Sequence, residues 1–224
     1  QFRLGWGVIN RGRNNVDGAS NVRAVEQGVR PFLDDDDKGI NGVKDDFISW
    51  LYGVDSTGST PLQRALEGAG QYYERSKRAW LDDPSASEGT GNVARQCRMS
   101  ATMLMTDGYY NTGNGFDPDL NSYADDSDGR IITNDDGAEA QFKAEEPFSD
   151  GRTGRITLGD IAAHYWKRDL RPDIDNYVPV IKGKNNEGER KVIGNPAFWQ
   201  HMMTYGIGFG VEGTVSRDEA MDAV

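Results

Sequence analysis

The chain has little sulfur or imidazole chemistry: one cysteine, Cys97, and two histidines, His164 and His201, in 224 residues. A single thiol cannot close an internal disulfide, so no disulfide framework within the chain holds it together. Two separated histidines, each inside a periodic segment, do not suggest a zinc site or a catalytic triad. His164 is expected on a helix surface and His201 at a strand start. Basic residues are also short, with 25 Lys and Arg against 36 Asp and Glu and a net charge of −11. That argues against nucleic-acid binding, which needs a basic surface to release counterions from phosphates. No apolar run reaches the roughly 20 residues of a membrane span. The longest, near Met99 to Met105, is broken by Ser100 and Thr102. A G-x-S-x-G nucleophile elbow is absent, which argues against an α/β hydrolase. No initiator Met or signal peptide opens the sequence, so it reads as a piece of something longer.

What is present is enough for a core: 36% hydrophobic residues, with five Trp, nine Tyr and eight Phe. The acidity has an address. Between Asp107 and Asp150 stand 12 acids and only Arg130 and Lys143 as bases, and the remainder is nearly neutral.

Phe2, Leu4, Trp6 and Val8 alternate with polar or small residues, predicting a strand, with a polar Asn-, Gly- and Arg-rich loop after it. A second strand is expected at Val29 to Leu33, a solvated turn at Asp34 to Gly39, and a short helix at Val43 to Tyr52. Leu62, Ala65, Leu66, Ala69 and Tyr73 fall at helical spacing behind Pro61, with Thr60 and Gln63 spaced as a capping box. Met99 to Thr106 has the compact apolar look of a central parallel strand, ending at Asp107-Gly108. From about 108 to 156 the chain is acidic and aperiodic, an inserted surface loop region. Thr157 and Asp160 then cap a helix. Met202 to Val211 reads as a buried strand whose Gly206, Gly208 and Gly210 share one side for close packing, and Ser216 opens a last helix. Strands alternating with helices indicate an α/β domain with a largely parallel sheet. In such sheets ligands bind at the carboxyl ends of strands, where Asp107 falls.

Four segments carry a resemblance: STPLQRALEGAGQYY (Ser59 to Tyr73), MLMTDGYYN (Met103 to Asn111) preceded by Cys97-Arg98, TLGDIAAHYWKRDLRPDIDNYVP (Thr157 to Pro179) and FWQHMMTYGIGFGVEG (Phe198 to Gly213). Together, and in this order, they resemble a von Willebrand factor A domain of the PilY family, large adhesins at the tips of bacterial type IV pili. The resemblance implies a Rossmann-like α/β fold, a mostly parallel central sheet flanked by helices with a long acidic insertion. It also implies a metal-ion-dependent adhesion site for Mg²⁺ or another divalent cation, with Thr60 and Asp107 as ligands and an open position for a partner's carboxylate. The site's D-x-S-x-S loop is missing. Asp55-Ser56-Thr57-Gly58-Ser59 imitates it but abuts Thr60, and one loop cannot easily supply two of the three motif parts. Residues 1–224 are therefore expected to be a partial domain lacking its first central strand, completed by an upstream part of the same polypeptide. Cys97 would be a buried thiol or bond to a cysteine there, in preference to acting as a nucleophile.

The function so implied is that of a non-enzymatic domain acting in pilus biogenesis, attachment to surfaces or host cells and surface sensing. Its location would be extracellular, at the cell surface or pilus tip, with pilus-tip minor pilins and a surface or host receptor as partners. An intracellular scaffold domain of a metal-dependent assembly is the alternative. A second oxygen-rich candidate is Asp117, Asp119, Asn121, Asp125 and Asp128, at positions 1, 3, 5, 9 and 12 of a calcium-loop spacing. It has Ser122 where Gly is usual and a short Asp in place of Glu at the end; a solvated, self-repelling loop is the competing reading.

Overall fold

The computed structural model describes residues 2–33, 42–55, 57–89, 91–113, 115–119, 126–145, 149, 156–180, 182–184, 190–192 and 195–209. The turn at Asp34 to Gly39, the helix from Ser216, Gly210 and Ser56 of the D-x-S-x-S imitation lie outside the described residues. The architecture is mixed α/β, and the chain divides into two compact units. One comprises Gln1–Ala94 with Tyr110–Asp117, the other Arg95–Tyr109 with Pro118–Val224.

In the first unit β1 (Arg3–Trp6) pairs antiparallel with β4 (Gln27–Pro31). The expected polar loop between them is instead a hairpin of β2 (Arg13–Val16) and β3 (Ala19–Arg23). Its turn is Asp17-Gly18, with φ of +50° and +81°, the left-handed pair that a two-residue hairpin loop requires. Helix α1 (Val43–Gly53) stands against the first pair through aromatic edges, with Phe47 meeting both Trp6 and Phe32. Helix α2 (Leu62–Arg75) buries Leu62, Ala65, Leu66 and Tyr72. It approaches β3 so closely that a Cβ on Gly68 would fall 2.1 Å from the Arg23 carbonyl oxygen. The Thr60 capping box does not form. Pro61 itself occupies the cap position, which leaves Thr60 one residue outside the helix, with no side-chain cap.

A buried ion pair ties these elements together. The Arg30 guanidinium donates to both Asp17 oxygens, at 2.6 and 2.8 Å, and the Asp17 side chain is only 5% exposed. The Tyr72 hydroxyl donates to Asp17 Oδ2 and accepts from the Val29 amide, and the Ser76 hydroxyl donates to the Asp17 carbonyl. Burial and the adjacent Asp17 charge push the Tyr72 phenol far above its ordinary value, while the Asp17 hydrogen bond raises Arg30. Gly28 leaves room for this network, since a Cβ there would sit 1.8 Å from Asp17 Oδ2.

In the second unit β5 (Ser100–Thr106) and β10 (Met202–Gly208) pair parallel, in register from Ser100 with Met202 to Thr106 with Gly208. The other pairs among the described residues are antiparallel: the short hairpins β6 (Ile132–Thr133) with β7 (Glu139–Ala140), and β8 (Lys182–Lys184) with β9 (Arg190–Val192). The insertion thus contains regular structure in β6 and β7. Helix α3 (Leu158–Trp166) has the expected capping box, Thr157 Oγ1 accepting from the Asp160 amide and Asp160 accepting from Thr157. It packs beside β10 with Ile161 and Tyr165 buried. His164, expected on the surface, is buried on this same helix face. His201, at the strand start as expected, is also buried. The His201 ring sits between the Trp199 carbonyl at Nδ1 and the Asn195 amide at Nε2; Asn195 Oδ1 accepts from Trp166 Nε1 and the Ala197 amide. Burial lowers the pKa of both histidines, His164 to about 3 with Arg168 and Lys167 adding to the effect.

Three further expectations are corrected. β5 alternates buried or half-buried with exposed positions, because no element among the described residues covers Met103 and Met105. Among the described residues nothing lies within 4 Å of where a Cβ on Gly206 would stand, so none of them packs closely there. Cys97 is exposed, not a buried thiol.

Replacing Asp17 by Asn strands the Arg30 charge and costs about 3 kcal/mol in urea unfolding. Tyr72→Phe, which leaves the Val29 amide without its acceptor, costs about 1–2 kcal/mol. The reverse order would contradict the ion pair's organising role. For the histidines, the folded pKa lies below the unfolded value of about 6.5. Their contribution to stability is therefore complete above that pH and falls as pH drops toward about 3 for His164. In an NMR titration the His164 ring remains neutral down to at least pH 5, and a His164 ring that titrates near 6.5 would contradict its burial.

Candidate functional site

The carboxyl end of β5 is a fixed platform. Phe209, just after β10, donates its amide to the Thr106 carbonyl at 2.9 Å, extending the parallel pairing to the last residue of β5. The Thr106 hydroxyl closes the following turn, accepting from the Gly108 amide and donating to the Gly108 carbonyl. Asp107 sits at the apex of this turn, exposed, and its carboxylate has no partner among the described residues. Tyr109 beside it is 97% exposed. A rigid strand end thus presents a carboxylate and a phenol to solvent.

Thr60 belongs to the first unit, where it forms a reciprocal pair with Asn111. The Thr60 amide donates to Asn111 Oδ1 at 2.7 Å, and the Asn111 amide donates to the Thr60 carbonyl at 2.9 Å. This pair uses the backbone of Thr60 and leaves its hydroxyl without a hydrogen bond to any described residue. Asn111 went unmarked in the sequence reading, although an Asn shortly after a strand-ending Asp-Gly is a common turn-bonding residue. Taken singly, the Asp107 carboxylate and the Thr60 hydroxyl are hard oxygen donors, the class of ligand that Mg²⁺ takes.

Of the calcium-loop candidates, Asn121 and Asp125 lie outside the described residues. Asp117 is in the first unit, where its Oδ1 accepts from the Gly113 amide and its carbonyl accepts from Arg64 Nε. Asp119 and Asp128 belong to the second unit. The Asp128 carboxylate accepts from Lys143 Nζ at 2.7 Å and the Ala144 amide at 2.9 Å, and these bonds, the lysine's first, lower its pKa. Both of its oxygens are therefore engaged by donors. Lys143, one of two bases in the acidic stretch, was the sequence signal for this. Among the described residues no three His, Cys, Asp or Glu side chains come together as a metal cluster, and no helix is long and apolar enough to cross a membrane.

No family model matches the chain, and no solved structure matches it. It is similar to the type IV pilus biogenesis factor PilY1 of Pseudomonas aeruginosa strain PAO1, 32% identical over 93% of this chain and 17% of the relative. PilY1 of strain PAK is 33% identical over 74% of this chain and 14% of the relative, and that of strain UCBPP-PA14 is 28% identical over 97% and 17%. The chain is homologous, at modest identity, to a segment of PilY1, and it spans about a sixth of the length of these relatives.

Proposed function

We propose that the chain is a non-enzymatic, von Willebrand A-like segment of a type IV pilus biogenesis factor, acting in pilus assembly and in attachment to surfaces or host cells from the cell surface or pilus tip. The observation that carries this reading is the similarity to PilY1, which runs through 93% of the chain. The parallel β5–β10 pair ending at Asp107 is consistent with it. Parallel sheets are normally covered on both faces and paired across several strands. Here Met103, Met105, Tyr205 and Phe209 are each more than half exposed, and each strand has one paired neighbour among the described residues. An upstream part of the same polypeptide would add the missing strand and the D-x-S-x-S ligands.

In that setting Thr60 and Asp107 would contribute a hydroxyl and a carboxylate to a divalent cation such as Mg²⁺, which supplies an electrophilic contact for a carboxylate on a pilus-tip minor pilin or a surface receptor. The residues of this chain bind and orient; none is required to transfer a proton. Pull on that contact would be borne by β5 through its pairing with β10, a route for surface sensing. The acidic stretch, through Asp125 above all, is a further Ca²⁺ candidate.

Calorimetry with Mg²⁺ and Ca²⁺ on the full-length polypeptide tests both sites. Asp107→Ala removes Mg²⁺ binding, and Asp125→Ala weakens Ca²⁺ binding alone. Equal binding by the wild type and both variants would dismiss the two assignments.

A further inference from the structure

The segment that leads into β10 is fastened to the end of α3 through one buried imidazole. Trp166 Nε1, from the last turn of α3, and the Ala197 amide both donate to Asn195 Oδ1 at 3.0 Å. Asn195 Nδ2 stands 2.6 Å from His201 Nε2, and His201 Nδ1 stands 2.7 Å from the Trp199 carbonyl. Trp199 Nε1 then returns to the Trp166 carbonyl at 2.9 Å, so the chain of bonds begins and ends on the same residue of α3. His201 is only 2% exposed, which leaves its ring dependent on these partners.

The donor and acceptor roles in this chain are forced. A carbonyl can only accept, so Nδ1 carries the proton toward Trp199, and Nε2 must accept from the Asn195 amide nitrogen. The neutral ring with its proton on Nδ1 satisfies every member. A second proton, on Nε2, would place N–H against N–H. Turning the Asn195 amide over offers Oδ1 to that proton but sets Nδ2 against the Trp166 and Ala197 donors. Neither orientation accommodates an imidazolium, and a buried donor without an acceptor is costly.

Charged neighbours do not relieve the conflict. The groups packed against His201 are the Trp166 ring of α3 at 6.3 Å, the Trp199 ring at 6.2 Å, the Asn195 amide and, at the His201 carbonyl, the Ser100 hydroxyl of β5. None of these titrates near neutrality or carries a charge. Lys167 and Arg168, which follow Trp166, act on His164 and not on His201. The 169–175 stretch meets the neighbouring Gln200 through the Leu170 amide and the Asp175 carbonyl, and its Asp169, Arg171, Asp173 and Asp175 exert no charge effect on the ring. Burial is the main cause that lowers the His201 pKa, opposed by the Trp199 carbonyl.

We propose that Trp166, Asn195 and His201 form an acid-sensitive latch: neutral His201 fastens the start of β10 to the end of α3, and protonation of Nε2 reversibly opens that fastening. Because the folded pKa lies below the unfolded value of about 6.5, the latch is closed above that pH and weakens as pH falls below it. It stands apart from the pilus reading, since every bond in it lies within the second unit.

An NMR titration of the chain from about pH 7 to about pH 4, following the His201 ring nitrogens with the Trp166 indole N–H, tests the latch. The Nδ1–H tautomer is expected at neutral pH. As His201 titrates, the Trp166 indole N–H exchanges about tenfold faster with the same midpoint, while the β5 and β10 ladder amides keep their protection. Asn195→Asp puts a carboxylate oxygen opposite Nε2, so the His201 midpoint rises above about 6.5 and the indole stays protected where the wild type opens. Should Asn195→Asp fail to fold, Trp166→Phe removes one of the two donors that hold the amide, and the His201 midpoint moves up toward its ordinary value. An Nε2–H tautomer at neutral pH overturns the proposal, as does indole protection that is indifferent to His201 titration. Loss of the ladder amides at the same midpoint would make the event global acid unfolding and equally overturn it.

Discussion

Every backbone group in a β-strand must find a partner, and that requirement governs the second unit. β5 and β10 stand about a hundred residues apart in sequence yet are locked in register over seven positions each. Bringing them together closes a long loop, an entropic cost that local hairpins such as β6 with β7 avoid. The pairing fixes the end of β5 and with it the turn that presents Asp107. Around it, α3 and the buried Trp199, Tyr165 and Met202 supply the apolar burial that holds β10 in place. On the other side of the pair the exposed methionines and Tyr205 remain uncovered. Among the described residues this parallel pair has one wet apolar face and two open edges, a poor free-standing structure. It is a sound part of a larger sheet.

The first unit solves its own problem differently. Its strands are short and polar, and a buried bidentate ion pair compensates by tying the hairpin turn, β4 and α2 to a single carboxylate. Such a pair is not in itself a strong source of stability, because desolvation consumes much of the attraction. Its value lies in geometry: Asp17 accepts from Arg30 and Tyr72, and only glycine at position 28 lets β4 pass that close. The arrangement specifies which surfaces meet.

Much of this was legible in the residues. The 3.6-residue spacing of Leu62, Ala65 and Leu66 gave α2, and the Thr157 and Asp160 spacing gave both α3 and its cap. The apolar run to Thr106 gave β5, because a strand terminated by Asp-Gly is a strong local signal. The β2–β3 hairpin was missed even though Asp17-Gly18 is a strong turn signal, because Arg13, Asn14 and Asn15 lack the apolar alternation that marks a strand. Burial of His164 was missed because a polar residue on an apolar helix face is set by tertiary packing. The Thr60 cap failed on one residue of register, as Pro61 claimed the cap position. Of the candidate site, Asp107 at a strand end was readable. The Asn111 bracket on Thr60 joins residues far apart in sequence, and no linear pattern encodes it.

The central claim is that β5 and β10 form one part of a sheet completed elsewhere in the polypeptide. Amide hydrogen exchange of the two strands, compared between this chain alone and the full-length polypeptide, tests it most directly. The account predicts that β5 and β10 amides pointing away from each other exchange rapidly in the chain alone and become strongly protected in the full-length protein. Equal exchange of those amides in both would contradict it.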